Sequence, residues 1–287
     1  MTDIAEILMQ IGLCEQAEIT RFKSEEDGED YDVWHVTANN TDYVLKKAKG
    51  CESAVYDIFL SRVGSGAPRV YKTLRHNGEV FILMEYIKGE DLRKCDRESL
   101  ILALDALIHI QSLYWEDREH QDIGSGFEAS LPGRRSRGEY LGDAELERAY
   151  EKYLQLFSTL PRTLCHDDLL PFNVLVSDGK ATIIDWEYAG ILPYPTSLVR
   201  LIAHGAESDD AFFYMKEDDK TYAIEYYYEH LIKKKGISYG DYRRAVNYFL
   251  LYEYCEWIML GNKYGDTESD RYMEYLAKAK EHLSKLE

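Results

Sequence analysis

The first third of the chain alternates between apolar and polar residues in short segments, the period of a β-strand with one buried face. These segments are Ala17–Lys23, Tyr31–Ala38, Tyr43–Lys47, Arg69–Leu74 and Val80–Met84. The last two are joined by His-Asn-Gly at 76–78, and Asn-Gly is a strong hairpin signal. The pattern predicts an antiparallel sheet, accompanied by helices at Asp3–Ile11 and Glu52–Val63.

Beyond Ser99 the apolar residues recur at helical spacing. Helices are predicted at Leu100–Tyr114, Asp143–Phe157, Asp218–Lys235, Tyr239–Leu260 and Glu268–Leu286. Residues 116–142, rich in glycine and arginine, are expected to form a loop region. Together these patterns predict an α+β protein with two lobes. The sheet-rich N-terminal lobe would span 1–86 and the helical C-terminal lobe 87–287.

Composition narrows the possible partners. The 287 residues carry a net charge of −18, which argues against binding nucleic acid or an anionic membrane. The charge is compatible with a cationic substrate. It is equally compatible with a negative surface whose only effect is to make copies of the protein repel one another. No apolar run approaches the roughly 20 residues that a membrane span needs. The five scattered cysteines form no Cys-x-x-Cys pair and no signal peptide is visible, so we expect a cytoplasmic protein.

Residues 166–187, HDDLLPFNVLVSDGKATIIDWE, carry the candidate chemistry. Asp168, Asn173 and Asp185 are three oxygen-bearing side chains on a loop and the hairpin that follows it. Such groups can bind magnesium and orient a hydroxyl beside the terminal phosphate of a nucleotide. The spacing predicts a kinase in which Asp168 orients and deprotonates the hydroxyl while Asn173 and Asp185 hold Mg²⁺. His166 is expected to support this loop rather than take part in the reaction.

The same segment resembles the aminoglycoside phosphotransferase and choline/ethanolamine kinase superfamily, the small-molecule branch of the protein-kinase-like fold. HDDLLPFNVL resembles its catalytic loop, and IIDWEYAG is similar to the Ile-Asp-aromatic-Glu-Tyr sequence of its choline kinase side. ILMEYIKGEDL and the order of sheet before helices fit as well, so the similarity covers most of the chain. The resemblance implies ATP as the phosphate donor and a small molecule as the acceptor. A protein kinase is disfavoured, because no Ala-Pro-Glu closes an activation segment.

The resemblance also implies which residues bind the nucleotide. It places the phosphate-binding lysine at Lys46, with Lys47 as a solvated alternative on the opposite strand face. Glu52 would hold this lysine, unless it is an exposed glutamate that stabilises the helix dipole. Met84, Glu85 and Ile87 would form the hinge, with the backbone of Glu85 and Ile87 binding adenine.

Two features depart from the family pattern. The turn Ser24–Asp30 has one glycine and five acids, although phosphate is bound best by glycine-rich backbone. ATP could therefore bind weakly, the loop could fold away, or the donor could be GTP or another nucleotide. Secondly, relatives have an aspartate in the helix after the Asp-x-Glu segment, where this chain has Ser197. A hydrogen bond to the catalytic loop could be lost there.

The acceptor site is predicted from the late helices and from Glu187, which would lie near the metal or substrate or else pair with an arginine. Acidic and aromatic residues suited to an ammonium group are grouped at Tyr252, Glu253, Tyr254, Glu256 and Trp257. The alternative is an aromatic stripe of the core. The leading hypothesis is a kinase for a small amine-bearing molecule, with Glu187, Glu253 and Trp257 at the substrate. A catalytically silent nucleotide-binding module is the second hypothesis.

Overall fold

A computed structural model describes residues 4–13, 17–23 and 28–286 of the chain. Its N-terminal part is an antiparallel sheet with the strand order β1-β2-β3-β5-β4. The strands are β1 (Glu18–Lys23), β2 (Asp30–Ala38), β3 (Thr41–Lys47), β4 (Val70–His76) and β5 (Glu79–Glu85). Each lies within two residues of a predicted segment. The hairpins close through Asn39-Asn40 and Asn77-Gly78, which all have positive φ angles as tight hairpin turns require.

Helices cover both faces of this sheet. On one face α1 (Ile4–Ile11) buries Ile7 and Leu8 against Trp34 and Phe81. On the other face lies α2 (Glu52–Ile58), which is shorter than the predicted helix because the chain continues as a 3₁₀ turn at Leu60–Arg62. The carbonyl of Phe59 accepts hydrogen bonds from the Tyr114 hydroxyl and from the backbone N–H of Arg62 in this turn. Asp3, the first residue of the predicted Asp3–Ile11 helix, lies outside the described residues.

The second part of the chain is mainly helical. Its helices are α3 (Arg97–Leu113), α4 (Phe127–Gly138), α5 (Ala144–Thr159), α6 (Pro195–Ala203), α7 (Glu217–Tyr227), α8 (Tyr239–Tyr264) and α9 (Asp270–Leu283). The prediction of a loop at 116–142 is wrong, since α4 lies within it. Pro132 and two glycines lower the helix propensity there, and burial of Phe127 and Arg134 outweighs it. None of the helices in the described ranges is long and apolar enough to cross a membrane.

Two small sheets position the catalytic segment. β6 (Glu90–Asp91) pairs with β8 (Val174–Ser177), which pairs with β9 (Lys180–Ile183) around the predicted turn. β7 (Arg162–Cys165) pairs antiparallel with β10 (Gly190–Pro193). The segment between β7 and β10 is therefore closed at both ends by backbone hydrogen bonds, which fixes the loop and hairpin that carry the three oxygen-bearing side chains. The lobe boundary at residue 86 stays a prediction.

Candidate active site

Lys46 on β3 joins the sheet to the catalytic hairpin. Its Nζ lies 2.7 Å from Oε1 of Glu52 and 2.5 Å from Oδ1 of Asp185. Glu52 is fully buried, so the alternative of an exposed helix-capping glutamate is wrong. Lys47 points to the other face of the strand and pairs with Glu79. The contact between Lys46 and Glu52 that the resemblance implied is therefore present, and their roles toward a nucleotide stay predictions.

The electrostatics keep Lys46 positively charged. Burial lowers the pKa of its ammonium group, but the charges of Asp185 and Glu52 outweigh burial and hold the pKa above its usual value. A buried ammonium group between two carboxylates is an attractive partner for phosphate oxygens, because little water competes for it. This lysine can therefore neutralise donor phosphates without first acquiring a proton.

A cavity of about 490 Å³ opens beside Lys46 and Asp185. The predicted hinge residues Met84, Glu85 and Ile87 all line it. Its other lining residues include Phe22, Tyr31, Val33, Val44, Tyr56, Leu175 and Ile184. Apolar walls with a charged group at one end suit a planar base and its phosphates. Residues 24–27 of the acidic turn lie outside the described residues.

The catalytic loop is braced by its own backbone. Pro171 begins a 3₁₀ turn that ends at Asn173, whose Nδ2 donates to the carbonyl of Asp168 at 2.8 Å. The carbonyl of Asn173 in turn accepts from the backbone N–H of Ile184 at 2.9 Å, just before Asp185. These two bonds tie the three predicted catalytic and metal residues into one unit. Asp185 has a φ of 63°, a left-handed conformation that Asp tolerates better than most residues.

His166 supports this unit, as the sequence predicts. It is fully buried, and its Nε2 donates to the carbonyl of Ile184 at 2.7 Å. Burial lowers the pKa of the imidazole below its usual value, so the ring is neutral at physiological pH. The ring packs against Trp186 with a centroid separation of 4.8 Å. His166 therefore connects the catalytic loop to the strand end that carries Asp185.

Ser197 on α6 retains a bond to the catalytic loop. Its Oγ accepts a hydrogen bond from the backbone N–H of His166 at 2.9 Å, and both groups are buried. The expected loss of this hydrogen bond is therefore wrong. A short serine side chain suffices because α6 begins at Pro195, only two residues after β10, and β10 is itself paired with the strand that ends at Cys165.

Three carboxylates near Lys46 could hold a metal ion. Oxygen atoms of Glu52, Asp185 and Glu187 lie within 4.8 Å of one another. Asn173 uses its Nδ2 on Asp168, which leaves its Oδ1 as the atom available to a cation. Carboxylate and amide oxygens are the ligands that Mg²⁺ prefers, so the donor set fits. Glu187 pairs with Lys49, at 3.4 Å, rather than with an arginine.

A second cavity, of about 350 Å³, opens over Asp168. It is lined by Arg137, Asp167, Asp168, Tyr188, Arg200, Tyr252, Glu253 and Glu256. Carboxylates outnumber guanidinium groups in this lining, four to two. The charge of Glu187 raises the pKa of the Tyr188 hydroxyl, with smaller contributions from Asp168 and Asp185. Tyr188 is thus close to the carboxylates that could hold a metal ion as well as to this cavity.

The acids of the second cavity are bound to arginines. Arg200 donates to Asp168 Oδ1 through Nη2 at 2.9 Å, and to Glu253 and Glu256 through Nη1 at 2.8 and 2.7 Å. Burial raises the pKa of Glu253, but Arg200 and a hydrogen bond from His204 outweigh burial and bring it to about 2. Sequence reasoning missed Arg200. A lone arginine among the apolar residues of PTSLVRLIA was the available signal, since a buried charge needs partners.

Arg134 braces the same loop from α4. It is buried, pairs with Asp167, and donates to the hydroxyl of Tyr153 at 2.9 Å. Its guanidinium group lies 4.6 Å from the ring centroid of Tyr252. Asp167 has a left-handed φ of 57°, so this ion pair stabilises a conformation that the backbone alone disfavours. Arg134 was not predicted because its helix was taken for a loop.

The predicted aromatic cage is not assembled. Trp257 packs against Tyr275 at a centroid separation of 5.8 Å, with the guanidinium group of Arg271 at 4.4 Å from its ring centroid. Tyr254 packs against Tyr275 and His282. Trp257 is not among the residues that line the described cavity over Asp168, and its role at the substrate stays a prediction. The aromatic stripe of α8 faces several neighbouring elements, because residues at successive positions of a helix point in different directions.

Solved structures share this fold over nearly the whole chain. Choline kinase from Cryptosporidium parvum Iowa II matches with a TM-score of 0.62 and 16% identity, covering 98% of this chain and 96% of that one. A thermostable variant of aminoglycoside phosphotransferase APH(4)-Ia, in complex with ADP and hygromycin B, matches with a TM-score of 0.60 and 13% identity, covering 99% and 98%. An aminoglycoside phosphotransferase from Alicyclobacillus acidocaldarius matches with a TM-score of 0.62 and 14% identity, covering 96% and 94%. The predicted kinase-like α+β fold is confirmed.

Sequence comparison identifies the family. No curated protein matches the chain. The model of the phosphotransferase enzyme family matches residues 22–224, which include β3, the hinge and the whole catalytic segment. This range is well over half of the 287 residues. The chain therefore belongs to the phosphotransferase enzyme family.

Proposed function

We propose that this small-molecule kinase uses Mg²⁺ to move the terminal phosphate of ATP or GTP to a hydroxyl of a small, amine-bearing molecule. The observation that carries the proposal is that one loop-and-hairpin unit supplies carboxylates to two cavities. Asp185 lines the larger cavity beside Lys46, and Asp168 lines the smaller one. A donor in the first and an acceptor in the second would meet across this unit.

The nucleotide would bind between β3 and the hinge. Lys46, held by Glu52, would bind donor phosphates, and the backbone at Met84, Glu85 and Ile87 would bind the base. Residues 1–86 would thus form the nucleotide-binding lobe, and residues 87–287 the catalytic lobe. The APH(4)-Ia structure holds ADP, which supports a nucleotide in the cleft of this chain as well.

Asn173 and Asp185, with Glu187 nearby, would hold Mg²⁺. When bound, the ion supplies positive charge against the phosphate oxygens. Asp168 accepts a hydrogen bond from Arg200 on Oδ1, which leaves Oδ2 to accept the proton of the acceptor hydroxyl. Positioning and charge neutralisation account for most of the rate enhancement in such reactions. Asp168 would contribute the positioning of the acceptor, and Lys46 the charge that neutralises the phosphates.

An amine-bearing acceptor is supported by the excess of carboxylates over guanidinium groups in the cavity over Asp168. The excess is modest, since Arg200 and Arg137 are bound to Glu253 and Glu256. The hygromycin B of the APH(4)-Ia complex and the choline kinase match are compatible with such an acceptor.

The test compares wild type with Asp168→Asn in a panel of acceptors. ATP and GTP are each supplied with Mg²⁺ and with ethanolamine, glucosamine, hygromycin B, glucose or adenosine, and the phosphorylated product is identified by mass spectrometry. We expect product from an amine-bearing acceptor with wild type and a loss of at least about 100-fold with the variant. Equal turnover by both proteins, at the background level seen without protein, would support the silent nucleotide-binding module instead. Product from glucose or adenosine alone would refute the amine-bearing class.

A further inference from the structure

Arg200 is an isolated cation on an apolar helix. Its neighbours Leu198, Val199, Leu201 and Ile202 are all buried in the core. The arginine side chain itself is only 17% exposed. A guanidinium group in such a position requires several hydrogen-bond acceptors, because desolvation without them is unfavourable.

Two N–H groups of Arg200 meet one oxygen of the predicted catalytic aspartate. Nη2 lies 2.9 Å and Nε lies 3.2 Å from Oδ1 of Asp168. Both donors therefore act on the same oxygen, and Oδ2 keeps its lone pairs for another partner. The two contacts converge from one planar group on Oδ1, so they hold this oxygen in place and, with the bond from Cγ to Cβ, orient the carboxylate.

The third nitrogen of Arg200 is held by α8. Nη1 lies 2.8 Å from Oε2 of Glu253 and 2.7 Å from Oε2 of Glu256. Glu253 is almost completely buried and has a second partner in His204, whose Nε2 is 3.3 Å away. Oε1 of Glu256 in turn lies 3.3 Å from Nη1 of Arg137, so an acceptor ammonium group would have to compete with arginine charges at these carboxylates.

We propose that Arg200 is a positioning residue for phosphoryl transfer, and that Glu253 and Glu256 hold Arg200 rather than bind the acceptor. The inference rests on the proposed function and changes the role given to Glu253. Arg200 would turn Oδ2 of Asp168 toward the acceptor hydroxyl, and α8 would keep Arg200 in place. A displacement of about 1 Å at a reacting group can lower a rate by about 100-fold, so this chain of contacts has a measurable effect.

The test separates turnover from binding in Arg200→Lys and Glu253→Gln, using the panel acceptor that wild type phosphorylates best. Lysine keeps the positive charge but lacks the fork that spans three carboxylates. We expect kcat to fall about 10- to 100-fold in Arg200→Lys and by a smaller factor in Glu253→Gln, while KM for acceptor and nucleotide changes less than about threefold. The double variant should lose little more than Arg200→Lys alone, because both changes interrupt the same contacts.

Arg97→Lys is the matched control. Arg97 pairs with the buried Asp219, between α3 and α7, and lines neither of the two cavities described above. Its replacement should leave kcat and KM unchanged. Arg200→Met, which removes the guanidinium group from the buried Glu253 and the partly buried Glu256, is compared with the triple variant Arg200→Met/Glu253→Gln/Glu256→Gln, which removes these three charges together. The triple variant should fold and still have the low kcat.

Each outcome decides between roles. An unchanged kcat in folded Arg200→Lys overturns the inference and leaves the proposed function intact. A rise of tenfold or more in acceptor KM with unchanged kcat in Glu253→Gln also overturns it, because that result assigns Glu253 to acceptor binding. A wild-type protein that phosphorylates no member of the panel overturns the proposed function itself, and this inference with it.

Discussion

Lys46 and Asp185 are 139 residues apart in the chain, yet Nζ of one lies 2.5 Å from Oδ1 of the other. One belongs to the third strand of the sheet and the other to the end of the catalytic hairpin. The contact therefore joins the part of the molecule proposed to hold the nucleotide to the part proposed to hold the metal. Donor phosphates would bind where a buried cation and a partly exposed carboxylate already lie side by side.

The role of Lys46 is tested by replacing it and, separately, its neighbour in sequence, Lys47. Lys46→Met should lower kcat/KM for the nucleotide about 100-fold or more, because it removes a preorganised positive charge from beside the donor phosphates. Lys47→Met is the matched control. Lys47 pairs with Glu79 on the opposite face of the strand, and its loss should change kcat/KM less than about threefold. Steady-state kinetics with ATP and GTP check both, and equal losses would contradict the assignment to Lys46.

The metal requirement is tested on the hairpin. Turnover should cease when EDTA removes Mg²⁺, and Asp185→Asn should raise the Mg²⁺ concentration needed for half-maximal activity by about tenfold or more. Asp178→Asn, in the turn of the same hairpin, is the control. Asp178 has a left-handed φ of 51° that asparagine also tolerates, so the fold is preserved. The measurement is a titration of activity with Mg²⁺ for wild type and both variants. Superimposable curves for the three proteins would rule Asp185 out as a ligand.

Sequence patterns predicted the features that depend on neighbouring residues. Strand alternation and the Asn-Gly turn give the sheet, and the spacing of Asp168, Asn173 and Asp185 defines a unit that closes on itself through short-range hydrogen bonds. The resemblance placed the phosphate-binding lysine at Lys46, and strand alternation put Lys47 on the opposite face. Such features follow from local geometry, in which the number of residues between two groups nearly fixes their separation.

The features that escaped prediction depend on distant partners. Arg200 meets Asp168 across 32 residues and Glu253 across 53, and Arg134 meets Asp167 across 33. No local pattern encodes these pairings, and α4 has a sequence that disfavours a helix on propensity. The surroundings of Trp257 also depend on the fold. Its grouping with acids is real along the chain, but the helix turns it toward α9.

Ser197→Ala should destabilise the protein by about 1–3 kcal/mol, because the buried backbone N–H of His166 loses its hydrogen bond to the Ser197 hydroxyl. Urea unfolding at neutral pH measures the change. Ser112→Ala removes an exposed hydroxyl that bonds within its own helix, to the carbonyl of His109, and should change stability by less than about 0.5 kcal/mol. If the two variants are equally stable, the bond from Ser197 to the catalytic loop contributes nothing.

The ion pair of Glu253 with Arg200 should make folding sensitive to acid. The pKa of Glu253 is about 2 in the folded protein against an ordinary 4.5. A lowered folded-state pKa contributes stability that is fully present above the unfolded value, and this stability is lost as pH falls toward the folded value. The loss should therefore begin near pH 4.5 and reach about 2 kcal/mol at pH 3.

Glu253→Gln removes the titrating group and isolates its contribution. The difference in unfolding free energy between wild type and Glu253→Gln should shrink by about 2 kcal/mol from pH 6 to pH 3, measured by urea unfolding. Glu229→Gln, which removes the exposed partner of Lys233, corrects for the loss of one carboxylate in general. If the unfolding free energies of wild type and Glu253→Gln differ by the same amount from pH 6 to pH 3, the contact with Arg200 does not lower the pKa of Glu253. In that case α8 does not hold Arg200 electrostatically.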